Sequence, residues 1–193
     1  SPIPGCENAR LYPVSADPFR YVALPQWCKF LSPVPVSLWP IGEMQQMLTP
    51  IANTESFDAV VAVQSPVARY GRLFAEAARI LDVDTALCYQ MRARYLEQTT
   101  RAARLRTWVS WQKAQAAERR LMQDYHACTL VSDTELDYVQ EITQPAGCQL
   151  AVIPNGVDCE RNRPDLAEKR PYSLVYNGAL TYSANYDAMR YFI

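Results

Sequence analysis

Glycine is scarce: there are 6 in 193 residues, against 14 prolines. No Gly-Gly pair and no G-x-G occurs. That excludes the glycine-rich turn with which a nucleotide-binding first strand usually meets its phosphate. Only one histidine is present, His126, and no C-x-x-C pair, which excludes a Cys/His zinc cluster. No sign of charge dominates, since 19 basic residues face 20 acidic ones for a formal net charge of −1. A strongly basic nucleic-acid binder is therefore not expected. No apolar run approaches the roughly 18–20 residues that span a bilayer. Ser1-Pro2-Ile3-Pro4-Gly5 has neither the basic start nor the apolar core of a signal peptide. No Met opens the chain, so it is expected to begin inside a longer polypeptide.

What is present fits an ordinary globular balance, 49 % apolar and 20 % charged. The six cysteines are Cys6, Cys28, Cys88, Cys128, Cys148 and Cys159. A chain of this length buries a core without disulfides, so reduced thiols in a cytoplasmic setting are expected.

Eight of the 14 prolines lie within residues 1–40. Long helices and central strands are not expected there, only short extended pieces at Ala9–Val14 and Tyr21–Leu24. Leu24–Trp39 mixes Pro with Trp27, Phe30, Leu31, Leu38 and Trp39. It reads either as a loop packed onto the domain or as a groove wall for an apolar acceptor. Gly42–Asn53 has Met44, Met47, Leu48 and Ile51 at helical spacing. Residues 57–63 form a Val-rich run suited to a strand buried on both faces of a parallel sheet. Pro66–Ile80 reads as helix and Leu81–Asp84 as a short strand. Helix follows from about Ala86 to Tyr125, broken near Thr99-Thr100. Trp108, Trp111, Ala114, Ala117, Leu121 and Tyr125 form its apolar stripe. Cys128–Val131 is a strand, and Ser132-Asp133-Thr134-Glu135 is a capping box opening a helix to about Ile142. Gln149–Ile153 is a strand, Arg161–Pro171 a linker, Tyr172–Tyr176 a strand, and Asn185–Ile193 a helix. Strands alternating with helices from Phe57 onward predict α/β architecture, a Rossmann-like doubly wound parallel sheet.

The neutral total hides an asymmetry, because residues 92–120 carry +6 and the rest about −7. The basic stretch, with Trp108 and Trp111, reads as a solvated helix face or as a contact for anionic membrane.

Val152-Ile153-Pro154-Asn155-Gly156-Val157-Asp158 reads as a strand end followed by an Asn-Gly turn, where Gly156 can take φ > 0. An α/β unit precedes it, and a charged linker and fresh strand follow. This arrangement resembles the interdomain junction of GT-B glycosyltransferases of family 4. Phe57-Asp58-Ala59-Val60-Val61 looks like that family's buried mid-domain strand. Glu118-Arg119-Arg120, followed by Asp124 through Ser132, is similar to its unit of helix, strand and Ser cap. Asn177-Gly178-Ala179-Leu180, with Asn185 and Asp187-Ala188, looks like the opening of its second Rossmann-like domain. The likeness is greatest to the bacterial subgroup linked to exopolysaccharide and exosortase systems. It covers residues 57–193 well and the first 56 poorly.

The resemblance implies a partial N-terminal, acceptor-side domain over residues 1–158. A linker over 159–171 and the opening strand and helix of a C-terminal nucleotide-sugar-binding domain over 172–193 would follow. It implies sugar transfer, with retention of configuration, from a nucleotide sugar to a glycan or lipid-linked acceptor in polysaccharide biosynthesis. No metal and no cofactor are expected, nor nucleic acid. The expected location is the cytoplasm, peripheral to the inner face of the membrane through residues 92–120. Asn177, Gly178 and Ala179 would form the donor phosphate-side loop, the alternative being a plain strand-to-helix turn. Asn155 and Gly156 would line the cleft or serve as its hinge. Asp84 is the acceptor-side candidate, the alternative being an N-cap of the helix near Ala86. His126 is read as structural.

Some family features are missing. Cys88 stands where a Ser is expected, and Leu180-Thr181-Tyr182-Ser183 replaces the usual Lys and Arg. The paired glutamates that serve the donor sugar would lie beyond Ile193. The chain alone is therefore expected to transfer no sugar. The competing expectation is a non-catalytic α/β binding or scaffold module derived from such a transferase.

Overall fold

The computed structural model describes residues 9–15, 24–143, 147–163, 171–181 and 183–193. Cys6, most of the Tyr21–Leu24 segment and most of the 161–171 linker lie outside them. The chain divides into two compact units, Ser1–Asn155 and Gly156–Ile193. That division falls between the two residues expected at the cleft.

The first unit is α/β. Its helices are α1 (Gln26–Leu31), α2 (Gly42–Thr54), α3 (Leu87–Leu96), α4 (Arg101–Met122) and α5 (Asp133–Thr143). Its strands are β1 (Ala59–Val63), β2 (Ala78–Asp82), β3 (Ala127–Leu130) and β4 (Gln149–Val152). All four pair in parallel, in the order β1-β2-β3-β4. The architecture is that of a Rossmann-like α/β sheet. These strands advance in one direction, so the reversal of strand order that defines double winding is not among the described residues.

Register assigns the faces. Ala62, Leu81, Cys128 and Leu150 stand side by side across the sheet. Their face carries the core, which includes Val83, Leu130, Ala114, Met122, Tyr125 and Val139. On the other face Val61 and Val63 are 57 % and 56 % exposed, so β1, at the edge of the described sheet, is not buried on both faces as expected.

Three expectations need correction. Pro66–Ile80 is not one helix: a 3₁₀ segment covers Ala68–Leu73, and β2 already begins at Ala78. The alanines favour helix locally, but pairing Val61 with Ile80 and burying Leu81 to 1 % outweighs that preference. Gly71 serves this bend. A side chain on it would meet the Tyr125 ring at 2.8 Å, and the Tyr125 hydroxyl donates to the Ala68 carbonyl. Second, β2 ends at Asp82 rather than Asp84. Third, residues 172–176 join no strand ladder among the described residues, although α6 (Ser183–Phe192) forms as expected. A lone extended segment gains no strand hydrogen bonds without a neighbour.

The break between the long helices falls where expected, with the Thr100 hydroxyl accepting the Ala103 N–H at 3.3 Å. In the proline-rich segment Leu38 is buried, while Trp27 and Leu31 are 64 % and 69 % exposed.

Candidate functional site

Parallel strands deliver their C-terminal ends to one edge, where ligands of α/β sheets bind. At that edge β1 runs into Gln64 at φ 73° and β2 into Asp84 at φ 58°. Both are side-chain-bearing residues in left-handed backbone, a conformation that surrounding structure must enforce. The enforcement is visible: the Gln64 N–H donates to the Asp82 carbonyl at 2.7 Å, and the Val83 N–H to Thr129 at 2.9 Å. The result turns the Gln64 amide toward Asp84, Nε2 to Oδ2 at 3.4 Å. Asp82 does not share this pairing, since its carboxylate accepts from the Thr129 hydroxyl at 2.9 Å.

Asp84 does not cap α3. The N-cap is Ala86, which has no side-chain cap of its own. Two carboxylates from elsewhere supply the missing acceptors. Glu118 of α4 is 1 % exposed. Its Oε1 accepts from the Ser65 hydroxyl at 2.9 Å and the Leu87 N–H at 2.8 Å, and its Oε2 from the Cys88 N–H at 2.8 Å. Glu135 accepts the Ala86 N–H at 3.4 Å. Its capping box is thus half formed: Ser132 accepts the Glu135 N–H at 3.3 Å, but the carboxylate reaches α3 instead of turning back. Burial raises the Glu135 carboxyl above its ordinary range.

Two chemical consequences follow. The N–H groups at the head of α3 donate to the carboxylates of Glu118 and Glu135, so that helix start offers no open N–H groups to a phosphate. Cys88 is fully buried, and burial together with Glu118 pushes its thiol far up. It is an inert core thiol. Asp84 is half-buried at this edge, beside an exposed Gln64.

The other expected residues lie elsewhere. Asn155 closes the first unit and Gly156 opens the second, both exposed. Gly156 does not use the left-handed region expected of it, and a side chain there would meet nothing within 4 Å. Asn177, Gly178 and Ala179 lie ahead of α6, with a bend at Gly178 and a turn at Leu180 and Thr181. The Asn185 amide of α6 donates to the Ala179 carbonyl at 3.1 Å. A side chain at Gly178 would meet the Tyr176 ring at 2.6 Å and Asn185 Nδ2 at 2.8 Å. His126 sits at the opposite end of the strands, its Nδ1 accepting the Arg79 N–H at 3.0 Å, a structural role.

Sequence reasoning missed Glu118, Ser65, Gln64 and the reach of Glu135. One signal was available for Glu118. It stands four residues from both Ala114 and Met122, on the helix face that is buried, where a carboxylate needs partners.

Groups of three or more His, Cys, Asp or Glu side chains able to hold a metal are absent among the described residues. Nor is any described helix long and apolar enough to cross a membrane. No family model, curated protein or solved structure matches the chain.

Proposed function

We propose that this chain belongs to a GT-B-type glycosyltransferase resembling family 4. Its first unit would take the acceptor and its second would open the nucleotide-sugar domain. The reaction is transfer of a sugar to a glycan or lipid-linked acceptor with retention of configuration, in polysaccharide biosynthesis. The observation that carries the proposal is the Gln64–Asp84 pair. Two residues are held in left-handed backbone at the ligand-binding edge, while the N–H groups at the head of α3 are taken up internally. Such an edge suits a neutral polyhydroxyl ligand better than a diphosphate. Asp84 would accept a hydrogen bond from an acceptor hydroxyl and orient it, and Gln64 would hold Asp84 in place. The donor diphosphate would meet the backbone of the Asn177–Ala179 bend, whose form needs Gly178 because a side chain there would meet Tyr176 and Asn185.

The proposal extends to place. Arg94, Arg101, Arg106, Arg119 and Arg120 are exposed, and Trp108 is 44 % exposed. These side chains would rest on anionic lipid at the cytoplasmic face. Trp111 takes no part, since its indole donates to the Tyr138 hydroxyl at 2.7 Å and stacks on Tyr95.

The test is release of nucleoside diphosphate from a panel of nucleotide sugars by the full-length protein with lipid-linked glycan acceptors. Asp84→Asn should raise the acceptor KM more than the donor KM. Absence of turnover, with no nucleotide bound, would favour a non-catalytic α/β binding module instead.

A further inference from the structure

Two cysteines outside the candidate site lie side by side. Cys128 is in β3 and fully buried; Cys148 immediately precedes β4 and is half-buried. Their sulfurs are 3.2 Å apart. The strand register explains the approach. Cys128 stands opposite Leu150, so Cys148 is the diagonal neighbour on the same face of the sheet. Cys28, Cys88 and Cys159, the other described cysteines, are likewise unbridged.

We propose that Cys128 and Cys148 form an oxidisable dithiol that closes to an intramolecular disulfide when the protein meets a peroxide. Cys148 is the attacking sulfur because it has solvent access and Cys128 does not. Its thiol is also held below the ordinary value, because the Cys128 S–H donates to the Cys148 thiolate; the same bond raises Cys128. The Cys148 thiolate displaces hydroxide from hydrogen peroxide. This gives a sulfenic acid and, with the thiol's proton, the first water. The Cys128 sulfur then attacks the Cys148 sulfur. The S–O bond breaks, the hydroxide leaves with the Cys128 proton as a second water, and the S–S bond forms. Two electrons pass from the thiol pair to one peroxide. Closure shortens the sulfur separation to about 2.05 Å, a movement of roughly an ångström between neighbouring strands. The bond would tie β3 to the start of β4, the strand that runs on into the division between the two units at Asn155.

The test uses the 193-residue chain with Cys159→Ser, which removes an exposed thiol from the same proteolytic fragment as Cys148. The reduced protein is treated with hydrogen peroxide, alkylated in denaturant and cut with a Glu-specific protease. That enzyme cleaves between the two cysteines at Glu135 and Glu141. The expected result is a loss of two hydrogens from the intact mass and a cross-linked peptide pair, both reversed by dithiothreitol. Adding Cys148→Ser should abolish the pair and leave Cys128 alkylatable. The proposal is overturned if Cys148 advances to sulfinic acid while Cys128 stays free, if either cysteine bridges elsewhere, or if both remain fully alkylated. The peptide map of the Cys159→Ser chain itself decides among these even if the added Cys148→Ser variant fails to fold.

Discussion

Glu118 accepts the backbone N–H of Cys88 at 2.8 Å, so the head of one helix is capped by a buried carboxylate of another. Ordinary caps come from the residue just before the helix. Here the cap fastens α4 to α3 and, through the Ser65 hydroxyl, to the loop after β1.

That arrangement makes Glu118 a stability residue. Glu118→Ala leaves a hydroxyl and two N–H groups without their acceptor, and unfolding in urea should show a loss of about 3–5 kcal/mol. Glu118→Gln keeps one oxygen but sets an amide nitrogen against an N–H donor, and about 1–3 kcal/mol should be lost. Equal, negligible effects of both variants would show that the network contributes nothing.

Glu135 should make stability fall with rising pH. Burial lifts its folded-state carboxyl above the ordinary 4.5. The folded protein then holds this proton more tightly than the unfolded chain. Its contribution is fully present below 4.5 and is lost as pH rises through the folded-state value. Glu135→Gln keeps an acceptor for the Ala86 N–H and removes the titration. Its melting temperature should exceed the parent's at neutral pH, with the gap closing in acid. A gap independent of pH contradicts this.

Gln64→Gly separates folding from function. Left-handed backbone costs a side-chain-bearing residue about 1–2 kcal/mol, and glycine returns roughly half of that as lost chain entropy. Stability should hold or rise by up to about 1 kcal/mol in urea unfolding. Transfer by the full-length protein should fall, because Asp84 loses its partner. A variant both less stable and fully active would contradict the role given to the pair.

The basic face should bind anionic vesicles. Replacing Arg94, Arg101 and Arg106 with Gln should weaken co-sedimentation with phosphatidylserine vesicles, by about 1 kcal/mol per residue at most. Raised salt should weaken the parent in the same way. Equal binding to neutral vesicles would contradict an electrostatic contact.

Much of the fold was legible because periodicity reports burial. The Val-rich run became β1, though exposed on one face, the stripe through Ala114 and Ala117 became the buried side of α4, and Thr100 opened that helix. Residues 66–80 misled because alanine-rich stretches satisfy helical spacing whether or not they are helical; only pairing with β1 reveals β2. The site was less legible. Asp84 was singled out as a strand-end carboxylate, but its partner Gln64 lies twenty residues earlier and is joined to it only by strand register. The reach of Glu118 and Glu135 to α3 is likewise long-range. A capping box announces one end of its hydrogen bond and not the other.

On the proposed function, a nucleoside diphosphate would bind at the Asn177–Ala179 bend before α6. The most direct measurement is thermal unfolding of the full-length protein with uridine and guanosine diphosphates, alongside Gly178→Ala. A transferase should show a higher melting temperature with at least one of them, lost in Gly178→Ala, whose new side chain would meet Tyr176 and Asn185. No shift with any nucleoside diphosphate, or an equal shift in the variant, would contradict it.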